Sequence, residues 1–340
     1  MGRAESGSFH QFVTKAREKT IMTGAAGDDS RGAGGRRHAA SGSAGRGFGE
    51  RLATAAQAII ADARSSLASA GMSDAETVHE VRKALKRWRA WLRLLAEPLG
   101  EPADQMRAEA RELMRSLAGA RDAQSALDAL ADLRKSAAAA SPPVSATTLS
   151  NIETRLTAVR DAAEQAGFTP ETRERLLRYL DEAALTIARW PLDHIDFDTV
   201  AAGLTVTYRR ARRLIPDDWS AADPDHLHDL RRRVVEHRHQ MDLFEPLWPR
   251  LGQVWGEEAQ RLRNRLGACQ DLAMLVKFTA PHQPLAPWCS RLAPAIAARR
   301  LAHLKAGERL AGRLFAEKPK AFRRRIAALW TARRAKHAKR

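Results

Sequence analysis

From Phe48 onward, apolar residues return about every 3.6 positions in a chain rich in Ala, Leu and Arg and poor in β-branched residues. That period is the mark of amphipathic helices, and it predicts an all-α fold. Helices are expected over 48–70, 75–96, 103–135, 148–166 and 170–189, then over 197–214, 224–245, 247–278, 287–316 and 319–335. Pro98 and Pro246 should stop two of them, and Thr169-Pro170 should open another as N-cap and first turn. Ala137 to Val144, with its Ser-Pro-Pro, reads as a linker. Before Phe48 the pattern fails. Residues 1–47 are rich in Gly, Ser, Ala and Arg, bury too little apolar surface to offset ordering entropy, and are expected to form a disordered leader. Their glycine cluster at 32–35 lacks the strand before it and the Lys-Ser/Thr after it that a phosphate loop needs. No run of eighteen apolar residues occurs, so no membrane-spanning helix and no membrane partner is expected.

The helical pattern repeats. Val78-His79-Glu80-Val81-Arg82-Lys83 returns as Leu227-His228-Asp229-Leu230-Arg231-Arg232, an offset of 149 residues. The same offset carries Phe48 to Phe197, Arg89 to Arg238, Leu117 to Leu266 and Asp122 to Asp271 without a gap. Two copies of one helical bundle are therefore expected, one over about 48–192 and one over about 193–335, with 336–340 as a basic tail end. A duplicated pair suggests a pseudo-twofold arrangement around a shared central groove.

On a helical wheel, His79, Arg82, Lys83, Lys86, Arg89 and Arg93 gather on one side, opposite Val81, Leu85, Trp88 and Leu92. In the second copy His228, Arg231, Arg232, Arg238 and His239 share a face, opposite Leu230, Val234 and Met241. A merely solvated face would mix signs to gain i,i+4 pairs, yet Glu80 is the only acid between Val78 and Leu95. Further cations fit the same groove: Arg209, Arg212 and Arg213 at the end of the 197–214 helix, and Arg261, Arg263 and Arg265. Arg64 is a weaker counterpart in the first copy. Such side chains recur about every 5–6 Å along a helix. They can meet a linear polyanion in succession, Arg as a bidentate donor and Lys as a point charge.

The total charge changes this picture less than its size suggests. The chain has 340 residues and a formal net charge of +17, of which residues 1–47 hold +4 and residues 318–340, without an acid, hold +10. Much of the excess is thus a basic C-terminal segment that would give weak nucleic-acid contact through phosphates. Catalysis is not expected. His79-Glu80 and His228-Asp229 resemble fragments of a metal phosphohydrolase, but adjacent residues point about 100° apart on a helix. Glu80 and Asp229 fit better as favourable first-turn charges, and Asp122 and Asp271 as orienters of neighbouring Arg or His or as helix–helix hydrogen bonds. The only cysteines, Cys269 and Cys289, exclude a disulfide framework and a Cys-rich zinc site. Cys269 reads as core. No metal or other cofactor is expected, and the absence of an apolar secretory segment favours a reduced, cytoplasmic setting.

The residues His79-x-x-Arg82-x-x-x-Lys86-x-x-Arg89 and their echo His228-x-x-Arg231-x-x-x-Val235-x-x-Arg238 resemble the CHAD family, the conserved histidine α-helical domain. Leu117-Ala118-Gly119-Ala120-Arg121-Asp122 and Leu266-Gly267-Ala268-Cys269-Gln270-Asp271 resemble that family's Leu-Gly…Arg-Asp segment. The resemblance spans about 48–335. It implies two helical bundles with a basic groove that binds inorganic polyphosphate, with residence at polyphosphate granules in some members. Carried over by position, His79, Arg82, Lys86 and Arg89 would bind from the first copy, and His228, Arg231, Arg232 and Arg238 from the second. The second copy departs from the family pattern at Val235, Glu236, His239 and Gln270, so Arg209, Arg212 and Arg213 are expected to compensate. No Glu-x-Glu-x-Lys signature occurs, so the triphosphate-tunnel domain of many relatives is not expected here.

Overall fold

The computed structural model describes residues 47–117, 121–136, 144–165 and 168–338. The expected leader, apart from Gly47, and the expected linker, apart from Val144, lie outside the described residues, as do Ala118-Gly119-Ala120 and the last two residues.

Among the described residues the secondary structure is helical, without strands. The first half holds α1 (Phe48–Ala68), α2 (Asp74–Leu94), α3 (Ala96–Leu99), α4 (Glu101–Ser116), α5 (Arg121–Ser136), α6 (Ala146–Gln165) and α7 (Pro170–Arg189). The second holds α8 (Phe197–Arg213), α9 (Pro224–Met241), α10 (Pro249–Phe278), α11 (Cys289–Leu314) and α12 (Pro319–Ala338). Helices begin at Phe48 and Pro170 and again 149 residues later, at Phe197 and Pro319. The stretch expected as one helix over 103–135 is two, α4 and α5, whereas its counterpart α10 runs unbroken for 30 residues.

Local chemistry explains where the two motif helices start. Ser73 and Glu76 close a capping box on α2: the Ser73 hydroxyl accepts from the Glu76 amide at 3.3 Å, and the Glu76 carboxylate accepts from the Ser73 amide at 2.9 Å. Asp223 caps α9 by accepting from the amides of Asp225 (3.0 Å) and His226 (3.1 Å), with Pro224 in the first turn. Both helices therefore have a fixed first residue, which sets which way every later side chain points.

Packing then brings them together. The indole of Trp88 on α2 donates to the Tyr179 hydroxyl of α7 (2.8 Å), which donates to the Met106 carbonyl of α4 (2.8 Å). α9 lies against α2, where the Gln240 amide donates to the Ala90 carbonyl at 3.0 Å. α8 approaches the end of α2 so closely that a Cβ at Gly203 would sit 2.2 Å from the Leu94 carbonyl oxygen. Only glycine fits there.

The apolar core falls into two clusters. The larger takes residues from α1, α2, α4, α7, α8, α9, α12 and the facing parts of α10 and α11. The smaller joins Leu130 and Leu133 of α5 and Ile152 and Leu156 of α6 to Leu272 and Leu275 of α10 and Leu292 of α11. Neither cluster respects the expected division at 192/193, because α10 is shared: it packs on α9, α11 and α5.

Candidate functional site

The cationic side chains of α2 follow one another by turns: Arg82, Lys86, Arg89 and Arg93. Arg82 is 9% exposed, and one guanidinium nitrogen donates to the carbonyls of Met114 (2.6 Å) and Leu117 (2.9 Å) at the C-terminal end of α4. It satisfies two carbonyls that a helix end leaves without intrahelical partners. Burial and the neighbouring Arg121 push its pKa down to about 10. Lys86, one turn on, is pushed down to about 7 by burial and then by Arg121, Arg82, Arg263 and Arg231. Those four neighbours come from α5, α2, α10 and α9, so the motif faces from both halves of the chain converge.

Arg231 of α9 sits at the centre of this convergence. Burial, then Arg263 and Arg121, lower its pKa to about 10 against the opposing pull of Asp271. Its guanidinium donates to the Gln270 side-chain oxygen at 3.0 Å. Gly267 makes room for it: a Cβ there would stand 3.3 Å from the Arg231 Nε. Arg263 is lowered by burial and by Arg238, opposed by Asp271. Further along α2, burial lowers Arg89, with Glu236 opposing and Arg232, Arg107 and Arg111 adding to the shift. Burial takes Arg93 to about 10, with Glu236 again opposing and Arg107, Arg233 and Arg210 reinforcing.

Two acids enter this field. Glu236 is bound to Arg233 at 2.6 Å, and burial raises the Asp271 carboxyl, which favours its neutral form. They leave the cations largely uncompensated. The Nε atoms of Arg89, Arg93, Arg231 and Arg238, and the Nδ1 of His228, are buried without a hydrogen-bond partner. Buried donors are seldom left so, and a row of them along two packed helices is the site's main chemical feature. It can accept an extended anion with many oxygen acceptors.

Not every expected residue belongs to it. Lys83 and Arg232 are held in exposed i,i+3 pairs with Glu80 (3.0 Å) and Asp229 (3.1 Å). These acids thus pair with bases on their own helices, and the expectation of first-turn charges fails: α2 starts at Asp74 and α9 at Pro224, which places Glu80 and Asp229 in the second turns while Asp74, Glu76 and Asp225 occupy the first. His79 is exposed in the second turn of α2. Arg212 turns away and donates its Nε to the Phe315 carbonyl (3.1 Å), while Arg209 and Arg213 are exposed. The residue of α8 that reaches the site is Arg210, two turns after Gly203 and so on the same face, beside Arg93. Arg261 pairs with Glu258 (2.9 Å) and Arg265 donates to His303 (3.2 Å), leaving Arg263 as the member of that trio in the site. Arg64 pairs with Asp181.

Sequence reasoning passed over Arg121, Arg107, Arg111 and Arg233 as site residues, and within the run Arg209-Arg210-Ala211-Arg212-Arg213 it chose Arg209, Arg212 and Arg213 over Arg210. Arg121 had a signal, since it stands in the Leu117–Asp122 motif. The others lie on helices whose facing is decided by packing. Asp122 is exposed, and Asp271 lies beside Arg231 and Ser125. Burial pushes the Cys269 thiol up to about 11, which keeps it a thiol at neutral pH. Among the described residues, no three His, Cys, Asp or Glu side chains gather as a metal set, and no helix is long and apolar enough to cross a membrane. A cavity of about 410 Å³ between α10 and α11, lined by Val276, Ile296 and Leu301, carries none of the site residues.

The family model for the CHAD domain matches residues 50–280. A solved structure described as the crystal structure of the CHAD domain from the plant Ricinus communis is similar at 18% identity, with 83% of this chain and 92% of that chain covered and a TM-score of 0.49. No curated protein gives a significant match.

Proposed function

The chain belongs to the CHAD family, and on that premise we propose that it binds inorganic polyphosphate along the faces of α2 and α9, without cleaving it. The observation that carries this reading is the meeting of Lys86 and Arg231, from the two motif helices, in a field of like charge. Confining like charges costs folding free energy, and a bound polyanion removes that cost. The Nε atoms of Arg89, Arg93 and Arg238 are donors without a partner in its absence. Binding needs no cofactor, and the sole buried thiol is unreactive at neutral pH.

The test is a competition at one near-physiological salt concentration among long-chain polyphosphate, double-stranded DNA and orthophosphate. Preference for polyphosphate is expected. Charge-assisted hydrogen bonds contribute about 1.5–3 kcal/mol each, so Arg231→Ala/Arg263→Ala should weaken binding by at least about tenfold. Equal binding of DNA and polyphosphate, untouched by that double change, would remove the assignment.

Nucleic-acid binding is the second reading, favoured by Lys320, Arg323, Arg324 and Arg334, which lie exposed on one side of α12. Deleting 318–340 should lower affinity for both polymers while leaving the preference for polyphosphate. Phosphate release with Mg²⁺ or Mn²⁺ added should stay at background. Cytoplasmic residence at polyphosphate granules follows from the same reading and is checked by imaging a tagged protein.

A further inference from the structure

Lys86 has no hydrogen-bond or ion-pair partner among the described residues, and every charged group turned toward it is a base. Arg82 precedes it by one turn, pinned to the end of α4. Arg231 comes from α9, held by Gln270 and seated over Gly267. Arg121 comes from α5 and Arg263 from α10. The other elements packed on α2 offer Lys86 no compensating acid. Asp62 of α1 is paired with Arg87 on a different face (2.6 Å). Arg107 and Arg111 of α4 act on Arg89, and Arg210 of α8 acts on Arg93. Glu97 of α3 is exposed beyond the end of α2. Asp271 of α10 engages Arg231 and Arg263. His79 and His228 stand in the second turns of α2 and α9, about two turns before Lys86 and Val235, and neither is among the groups that act on Lys86.

Resting on the polyphosphate reading, we infer that the site takes up a proton together with the phosphate chain and that Lys86 holds it, so the grip weakens above neutral pH.

The reason is which base in the crowd can yield. Arg82 and Arg231 are lowered only to about 10, and guanidinium groups remain charged at neutral pH. Lys86 is pushed down to about 7 by burial and by those arginines. The empty site therefore relieves its own repulsion by releasing the Lys86 proton to solvent. Phosphate oxygens reverse both causes: they offset the surrounding positive charge and accept a hydrogen bond from the ammonium. Binding thus raises the lysine's pKa. Below about pH 7 Lys86 is already protonated and binding takes up no further proton from solvent. Above that, each bound chain draws one, and affinity falls by up to about tenfold per pH unit until the bound-state pKa is reached.

The experiment measures binding of long-chain polyphosphate at constant salt between pH 6.5 and 9, with calorimetry at pH 8 in two buffers of different ionisation enthalpy. Long chains keep terminal groups, which titrate near pH 6, few. The wild type should lose about tenfold in affinity from pH 7.5 to 8.5 and take up about one proton per site at pH 8. Lys86→Arg should bind with that slope flattened, and His79→Ala/His228→Ala should keep the slope. A ligand-free measurement isolates the lysine. An unfolded lysine keeps its proton to about pH 10.4, while the folded one gives it up near 7. The unfolded chain therefore binds more protons in this window, and the wild type should gain thermal stability over Lys86→Met as pH rises from 6.5 to 9.

Binding without proton uptake, a slope that survives in Lys86→Arg, or a stability difference independent of pH would overturn the inference alone. Failure to bind polyphosphate at any pH would overturn the ligand reading and this inference with it.

Discussion

Arg82 serves the fold and the site with one guanidinium. One of its nitrogens is committed to the Met114 and Leu117 carbonyls, and its charge faces Arg121 and Lys86. Arg82→Ala should therefore lower stability by about 2–3 kcal/mol, from two charge-assisted hydrogen bonds and the carbonyls they satisfied, and weaken polyphosphate binding as well. Urea unfolding and a binding titration on the same sample would read both. Lys83→Ala is the contrast: its partner Glu80 is exposed, and a change within about 0.5 kcal/mol is expected. Gly267 separates the two roles more cleanly. A methyl group there presses on the Arg231 Nε, while alanine in mid-helix gains up to about 1 kcal/mol over glycine. Gly267→Ala should fold at least as well as the wild type and bind several-fold more weakly. A large loss of stability with unchanged affinity would show that the room left by glycine serves packing and not the position of Arg231.

The helices α2 and α9 were legible in the sequence because a single stripe of Leu, Val and Trp fixes which side is buried, and the opposite side is then cationic by default. That is why Arg82, Lys86, Arg89, Arg93, Arg231 and Arg238 could be read before any packing was known. α8 was less legible. Its five closing residues Arg209-Arg210-Ala211-Arg212-Arg213 put a base at almost every angle, so composition could not choose among them. The choice is made by Gly203, whose missing side chain lets α8 touch Leu94 and points Arg210 at Arg93. Arg107 and Arg111 were hidden for a related reason. They lie on α4, whose exposed face is ordinary in sequence and becomes part of the site only because α4 packs on α2. The contact of α9 with α2 depends in turn on a polar residue: Gln240, buried, reaching the Ala90 carbonyl. Gln240→Ala should cost about 1–2 kcal/mol by removing a buried hydrogen bond between the helices, and it should loosen the two motif helices enough to reduce binding.

The two apolar clusters explain why the halves are not independent bodies. Residues 48–192 alone would leave Leu130, Leu133 and Ile152 without Leu272, Leu275 and Leu292 across from them. The internal offset visible in the sequence says nothing of this, because a repeat records ancestry of segments and not which copy each one packs against. A polar clamp closes the same junction. Asp132 of α5 accepts two hydrogen bonds from Arg299 of α11 (2.7 and 2.6 Å) and one from His303 (2.8 Å), and His303 in turn meets Arg265 of α10 (3.2 Å). Burial opposes the Asp132 charge, but the hydrogen bonds from Arg299 and His303 outweigh it and hold the carboxyl well below the usual carboxylate range. A carboxyl lowered in the folded state stabilises fully above its unfolded pKa, near 3.9, and that contribution fades as pH falls below it. Asp132→Asn keeps the shape and removes the charge, so it should cost about 3 kcal/mol at neutral pH. The difference from wild type should shrink steadily between about pH 5 and 2. Thermal unfolding of both proteins across that range measures it. A constant gap down to pH 2 would mean that the junction between the halves rests on its apolar contacts and not on the ionised clamp.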